Sequence, residues 1–355
     1  MLILVTGSTG FIGASLCRAL LAKGHQVRAF HRPTSTLRLL DDLPVEHSLG
    51  DLTHPDSLTP ALEGVEVVFH AAAQLGSSQD EEGRMYSVTV EGTRSLLQAA
   101  KQAGVRRVVY TSSTAALGIP ELSSPAIDSI GKAMFMNENH TWNLRPDFWP
   151  YGYSKYLAEL EVQKALAEGQ DVVIVNPTYV LGAGDIYRQT NSIVVQAARQ
   201  RLPALVEGGL NVVHISDVVA GHLAAMETGR TGQRYILAGE NLTVVQMIRK
   251  MAEVAGVNAP TLVLPGALVR SLGWIAILAQ SLIDLPINAR LSHLAGYYFY
   301  YDNTKSQVEL GLRPPCSADQ AISDAYNWFV EIGALPQRKS SLPDELHSKR
   351  VKKSR

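Results

Sequence analysis

A short apolar run, Leu2-Ile-Leu-Val-Thr6, passes directly into Gly7-Ser8-Thr9-Gly10-Phe11-Ile12-Gly13, after which a helical period carries on to Lys23. No other feature of this chain limits its fold so tightly. Gly7 permits a tight turn, Gly10 lets backbone approach a pyrophosphate, and Gly13 lets a helix lie close against the strand. Unpaired N–H groups at the start of that helix, with their partial positive charge, favour phosphate. A merely structural glycine turn is the plainer alternative. The strand–turn–helix setting argues for a dinucleotide site instead, with Thr9, Phe11 and Ile12 completing its turn.

The first 175 residues alternate short β-rich runs with helical patterns, which predicts parallel strands joined by right-handed crossovers. Strands are expected at Leu2–Thr6, Gln26–His31, Val45–Leu49, Val65–His70, Arg107–Ser112 and Asp171–Asn176, and helices near Gly10–Lys23, Pro55–Glu63, Glu82–Ala103 and Tyr151–Glu168. The fold class that follows is α/β: a doubly wound parallel sheet (Rossmann type) with a smaller, interleaved C-terminal substrate lobe. Residues 1–177, with returns near 209–238, are expected to form the dinucleotide domain, and 178–208 and 239–335 the lobe. Later elements are expected as a helix at Thr190–Arg201, a β run at Asn211–Ile215, and helices at Asp217–Glu227 and Val244–Ala255.

Composition narrows the functions. Of 32 Lys+Arg and 33 Asp+Glu, the last twenty residues hold seven basic and two acidic, which leaves the body at −6. Such a body does not suit nucleic acid. The tail, 336–355, reads as basic and disordered. Cys17 and Cys316 form no CxxC or Cys/His cluster in sequence, so neither a disulfide framework nor a metal site is expected. No leader pattern precedes the first strand, and the cytoplasm is the expected address. The apolar stretch Leu262–Ala289 is broken by Arg270 and Asp284, and its longest uncharged run is the 13 residues Ser271–Ile283. That is too short to span a bilayer, and a packed helix of the lobe is expected, at a dimer or substrate surface.

At the end of the second strand, where an acidic residue would bind a ribose hydroxyl, the chain reads Phe30-His31-Arg32. Arg32 suits a 2′-phosphate, so NADP is expected over NAD, with Asp51 and Leu52 meeting the adenine. Tyr151 and Lys155 are four apart and share a helix face. A nearby ammonium lowers a tyrosine's pKa toward a useful range. Ser113, just past the fifth strand, completes a Ser-Tyr-Lys set for proton transfer to or from a reacting oxygen, and Ser112 competes for that role. Each pair alone would be unremarkable on a surface; together with the glycine turn, in this order, they point to catalysis.

These motifs resemble those of the extended short-chain dehydrogenases/reductases, the NAD-dependent epimerase/dehydratase superfamily, and in texture its dihydroflavonol-reductase and 3β-hydroxysteroid-dehydrogenase branch. The likeness runs from Leu2 to about Leu335. It rests on the glycine turn, Asp51-Leu52, His70-Ala71-Ala72-Ala73, Thr111-Ser112-Ser113, Tyr151-x-x-x-Lys155 and Asn176-Pro177-Thr178-Tyr179-Val180-Leu181-Gly182. It implies that Ala71, Ala72 and Ala73 line the cofactor, that Pro177 and Val180 flank the nicotinamide, and that Ser113, Tyr151 and Lys155 are catalytic. Thr89 stands where the family often has Asn before Val-x-Gly-Thr. Leu210 stands where nucleotide-sugar enzymes of the group place an arginine for the sugar diphosphate, before Val212-Val213-His214-Ile215-Ser216-Asp217, and Arg188 or Arg199 would have to replace it. Asp217 is expected as a helix N-cap. An insertion between Ser113 and Tyr151, with Phe135, Trp142, Phe148 and Trp149, is expected to cover an apolar site. The implied activity is reduction of a small, largely apolar ketone or aldehyde. Two alternatives stand beside it: a nucleotide-sugar epimerase/dehydratase, and a non-catalytic cofactor sensor. A homodimer is compatible with the resemblance.

Overall fold

Strand β1 (Leu2–Thr6) buries Ile3, Leu4 and Val5 completely, on both faces at once, which requires a sheet covered by helices on each side. The computed structural model describes residues 1–74, 79–120, 135–187, 192–280 and 289–336. From β1 the chain enters α1 (Phe11–Ala22), β2 (Gln26–His31), β3 (Glu46–Leu49), α2 (Leu58–Leu62) and β4 (Val67–His70). Helix α3 (Gln79–Tyr86) passes through a π turn, Ser87–Glu91, into α4 (Gly92–Gln102). Then come β5 (Arg107–Thr111), α5 (Pro150–Ala167), β6 (Val172–Pro177), β7 (Tyr179–Leu181) and α6 (Ser192–Ala198). The rest is β8 (Leu205–Val206), β9 (Gly209–His214), α7 (Ile215–Thr228), β10 (Arg234–Leu237), β11 (Glu240–Thr243), α8 (Val244–Ala255), β12 (Val263–Leu264), α9 (Gly266–Gln280), α10 (Thr304–Leu310) and α11 (Ala318–Glu331).

Seven strands form one parallel sheet in the order β10-β6-β5-β4-β1-β2-β3. The chain winds outward from β1 through β2 to β3, then returns to β4 on β1's other side. That reversal opens a crevice past the carboxyl ends of β1 and β4, where ligands of open α/β sheets sit. One face of the sheet is packed by Leu16 and Leu20 of α1 with Val218 and Leu223 of α7. The other is packed by Leu96 and Leu97 of α4 with Ala158 and Val162 of α5.

Several expectations need correcting. Beside the six strands expected up to Asn176, a seventh, Arg234–Leu237, lies next to β6, within the return expected near 209–238. The run expected at Asn211–Ile215 is β9, and it pairs not with the large sheet but with β7 and β11. The single helix expected over 82–103 is interrupted by the π turn, just where a Cβ on Gly92 would lie 2.8 Å from Leu52 Cβ. The lobe has its own core, in which Val194, Met247, Ile248, Met251, Ile322 and Phe329 join α6, α8 and α11. Helix α9 starts only after Pro265, and the later part of the expected 262–289 helix, 281–288, lies outside the described residues. Among the described residues no helix is long and apolar enough to cross a membrane. The tail 337–355 also lies outside them.

Candidate active site

The glycine turn is jammed between two strands. Gly7 has φ +65°, and a Cβ there would lie 2.7 Å from the Ala72 backbone; one on Gly13 would lie 2.1 Å from the Gly7 carbonyl oxygen. Neither position accepts a side chain without moving backbone. Helix α1 therefore starts tight against β1 and the Ala71-Ala72 segment, with no side-chain cap and no acidic residue in its first turn. Its first N–H groups face a cleft of about 550 Å³. The fit to a dinucleotide pyrophosphate is a matter of these free donors and of the room left by three missing side chains.

Every residue expected at the cofactor or in catalysis lines this cleft except His31 and Lys155. His31 is buried, and its Nε2 lies 3.0 Å from Nδ1 of His47, joining β2 to β3. Arg32 lies on the cleft wall with its side chain exposed. Burial would raise the Asp51 carboxyl, but the Thr53 N–H and hydroxyl, at 3.0 and 2.9 Å, together with the charges of Arg32 and His54, hold it below the usual range. The sequence reading missed Phe30, Ser35, Gln74, Arg84, Thr178, Asp185 and Tyr187, all of which line the same cleft. Phe30 and Ser35, on either side of Arg32, and Thr178, between Pro177 and Val180, had a positional signal.

Ser112 and Ser113 are separated by their partners. The Ser112 hydroxyl donates to the buried Glu159 at 2.5 Å. Ser113 Oγ accepts the Ala115 N–H at 3.1 Å, which caps the short turn that follows, and hydrogen-bonds Tyr151. Burial pushes the Tyr151 phenol above its ordinary value and the Ser113 hydrogen bond draws it partly back. Lys155 sits behind the cleft wall, 2% exposed, donating from Nζ to the Thr111 carbonyl at 2.9 Å. Burial brings its pKa down to about 8, with Glu159 acting in the opposite direction. His70 closes the floor: its Nδ1 is 2.7 Å from Thr6 Oγ1 and its Nε2 2.9 Å from Thr93 Oγ1, and burial, with Lys155's charge, lowers its pKa to about 3.

The insertion's aromatic residues do not line the cleft. Trp142 packs on Trp149, Tyr153 and Tyr156 of the α5 region, Trp149 on Phe299, Phe135 on Tyr300, and Phe148 on His293 at 3.9 Å between ring centres. They fasten the insertion to α5 and the lobe; residues 121–134 lie outside the described residues. Leu210 packs between two apolar clusters. Asn211 is spent on Thr178, Gly239 and Asn241. Arg199 donates to the Ala334 carbonyl at 2.7 Å, and Arg188 lies outside the described residues. Asp217 is not the cap of α7. His214 caps it, accepting the Ser216 N–H at 3.1 Å, while Asp217 accepts the Cys316 N–H at 2.8 Å. His214, Asp217 and Cys316 thus cluster, their ligand-type atoms within 4.8 Å of one another, a grouping hidden by the distance along the chain.

Comparison with known proteins bears on the family and the fold. The model of the NAD dependent epimerase/dehydratase family matches residues 3–238. A putative dihydroflavonol 4-reductase of Synechocystis is 36% identical over 93% of this chain and 94% of its own length. Sterol demethylase protein B of Methylococcus capsulatus is likewise 36% identical, over 94% of this chain and 100% of its own. Among solved structures, gox2253 superposes with a TM-score of 0.81 at 34% identity, covering 94% of this chain and 99% of that one.

Proposed function

Because this chain belongs to the NAD-dependent epimerase/dehydratase family, we propose that it is an NADP-preferring oxidoreductase that reduces the carbonyl of a small, largely apolar ketone or aldehyde. The observation that carries the reading is that Ser113 and Tyr151 share the wall of the cleft, with the Lys155 ammonium buried one helical turn behind. Reduction needs a proton for the developing alkoxide, and a phenol pushed up by burial is protonated at neutral pH and has one to give. Ser113 Oγ takes the Ala115 N–H as acceptor, and its single proton goes to whichever of Tyr151 and the substrate oxygen carries the negative charge. Lys155 stabilises the phenolate left after proton transfer. The nicotinamide, when bound, supplies the hydride.

The cofactor preference is supported by Arg32 at the position of the usual acidic residue and by a second cation, Arg84, on the cleft wall. An apolar substrate is supported by Leu210 and Asn211, neither of which offers charge to a sugar diphosphate. The names of the two relatives, a dihydroflavonol reductase and a sterol demethylase protein, also point to polycyclic, largely apolar molecules. The test is a panel of cyclic ketones and aldehydes with NADPH and NADH, followed by absorbance, with product analysis of UDP- and dTDP-sugars run beside it. Carbonyl-dependent NADPH oxidation is expected. Interconversion of sugar epimers without net cofactor consumption would overturn the reading in favour of the nucleotide-sugar alternative.

A further inference from the structure

Glu159 lies two helical turns beyond Tyr151 and one beyond Lys155 on α5, and it is completely buried. Its Oε1 accepts the Ser112 hydroxyl at 2.5 Å and the Asn176 amide at 2.8 Å. The same Asn176 amide donates to the Ser113 carbonyl at 2.9 Å, so the Ser112 hydroxyl and the Ser113 carbonyl are both tied to one carboxylate centre. Oε2 faces Arg234 of β10, 2.6 Å from its guanidinium. Arg234 in turn donates to the carbonyls of His140 and Glu138, at 3.1 and 3.4 Å. A full negative charge without water is costly to keep unless it is paired and hydrogen-bonded, and a carboxylate used only for packing would be replaced by an apolar residue at little loss.

We propose that Glu159 is a positioning residue of this active site: it orients Ser113 through Ser112 and Asn176, and it supplies the charge that keeps Lys155 an ammonium, while Arg234 limits how much of that charge Lys155 feels. The positioning half rests on the Ser-Tyr-Lys reading above. The electrostatic half does not, because it concerns only the chain's own charges. The other groups facing Lys155 do not substitute for Glu159. From β5 it meets the Thr111 carbonyl and the Tyr110 ring, from β4 the neutral His70, and from its own helix the protonated Tyr151. His222 of α7 reaches Thr111 and is also held neutral by burial. Glu159 is the acidic group opposing the desolvation of that ammonium.

The two ends of the ion pair should therefore act with opposite sign. Loss of the carboxylate lowers the pKa of Lys155; loss of the guanidinium raises it. With neighbours on a helix about 5–6 Å apart, a unit charge in a partly desolvated setting corresponds to a shift of about one pH unit or more. The experiment is an NMR titration of the lysine side chains in the full-length protein, with the Lys155 signal assigned through Lys155→Met, for unmodified protein, Glu159→Gln and Arg234→Gln. Alongside it runs the pH profile of kcat/KM for carbonyl reduction. We expect the Lys155 titration, and the alkaline limb of the profile, to move down in Glu159→Gln and up in Arg234→Gln. Glu161→Gln, which removes an equal charge from the same helix but from the Arg94 pair, should move neither. Shifts of one sign in both variants, or none, would overturn the electrostatic half. Unchanged kcat in both Ser112→Ala and Asn176→Ala, which cut the two links by which Glu159 reaches Ser113, would overturn the positioning half; Glu159→Gln keeps an acceptor for both and tests only the charge. If the unmodified protein reduces no carbonyl, the functional reading fails while the NMR result still decides the charge argument.

Discussion

Substituting alanine for Gly13 tests the most local feature of the site. The added Cβ would sit 2.1 Å from the Gly7 oxygen and 2.7 Å from the Gly7 carbonyl carbon. Both are backbone atoms of a turn itself wedged against Ala71 and Ala72, so no side chain can swing away. Relief requires α1 to withdraw from β1 by about 1 Å, an overpacking cost of about 1–3 kcal/mol. For a chain of this length that is a fall in Tm of about 1–4 °C. The withdrawal also carries the first-turn N–H groups away from the phosphates. One weakened charge-assisted hydrogen bond, about 1.5–3 kcal/mol, is a 10- to 150-fold loss of cofactor affinity. Fluorescence titration with NADPH and thermal unfolding measure both. Gly24→Ala is the comparison: its φ of +80° strains an alanine, but nothing lies within 4 Å and the cleft is remote, so stability falls while affinity holds. Gly13→Ala binding NADPH within twofold of the unmodified protein would refute the reasoning.

Arg32→Ala should weaken NADPH by about tenfold and leave NADH almost unchanged, the low end for a charged hydrogen bond because the guanidinium is exposed; equal losses for both in calorimetry would count against the 2′-phosphate role. Ser113→Ala should reduce kcat by about 10²-fold with little change in Tm, whereas Ser112→Ala, which removes a donor from buried Glu159, should cost about 1–3 kcal/mol of stability; the reverse pattern would exchange their roles. His70 and His222 are held neutral in the fold, with pKa values near 3 and 4 against an unfolded value of 6.5. The unfolded chain then binds more protons below pH 6.5, so their stabilisation is complete above that pH and is lost as pH falls toward 4 and 3, by up to about 3–5 kcal/mol each. Urea midpoints at pH 7 and pH 5 should differ less in His222→Gln than in the unmodified protein; an equal difference would remove His222 from this account.

What could be seen in the sequence was what is encoded locally. The glycine turn, Tyr151-x-x-x-Lys155 and the serine pair each lie within one turn or one helix face, and the fold order follows from the alternation of apolar runs. What could not be seen depends on what lies across from a residue. Ser112 and Ser113 are equal candidates until Glu159 is found opposite one of them. His31 precedes Arg32 directly, yet it faces His47 on the neighbouring strand. Arg234 gives no local sign that it will face Glu159, and β10 is short enough to pass as a loop between helices. The insertion's aromatics read in sequence as a cover over an apolar site, and the rings of α5 and the lobe show them to be packing instead. Asp217 suits an N-cap by residue type, but β9 ends on His214, and its imidazole reaches the free N–H first.

Proton transfer by Tyr151 to a carbonyl reduced at this cleft is isolated by Tyr151→Phe. The phenyl ring keeps the packing and removes the single oxygen that meets Ser113. Steady-state kinetics with the best carbonyl found, together with NADPH affinity measured separately, should show turnover lower by about 10²-fold or more, with the cofactor's Kd changed only a few-fold. Turnover within a few-fold of the unmodified enzyme would contradict the account.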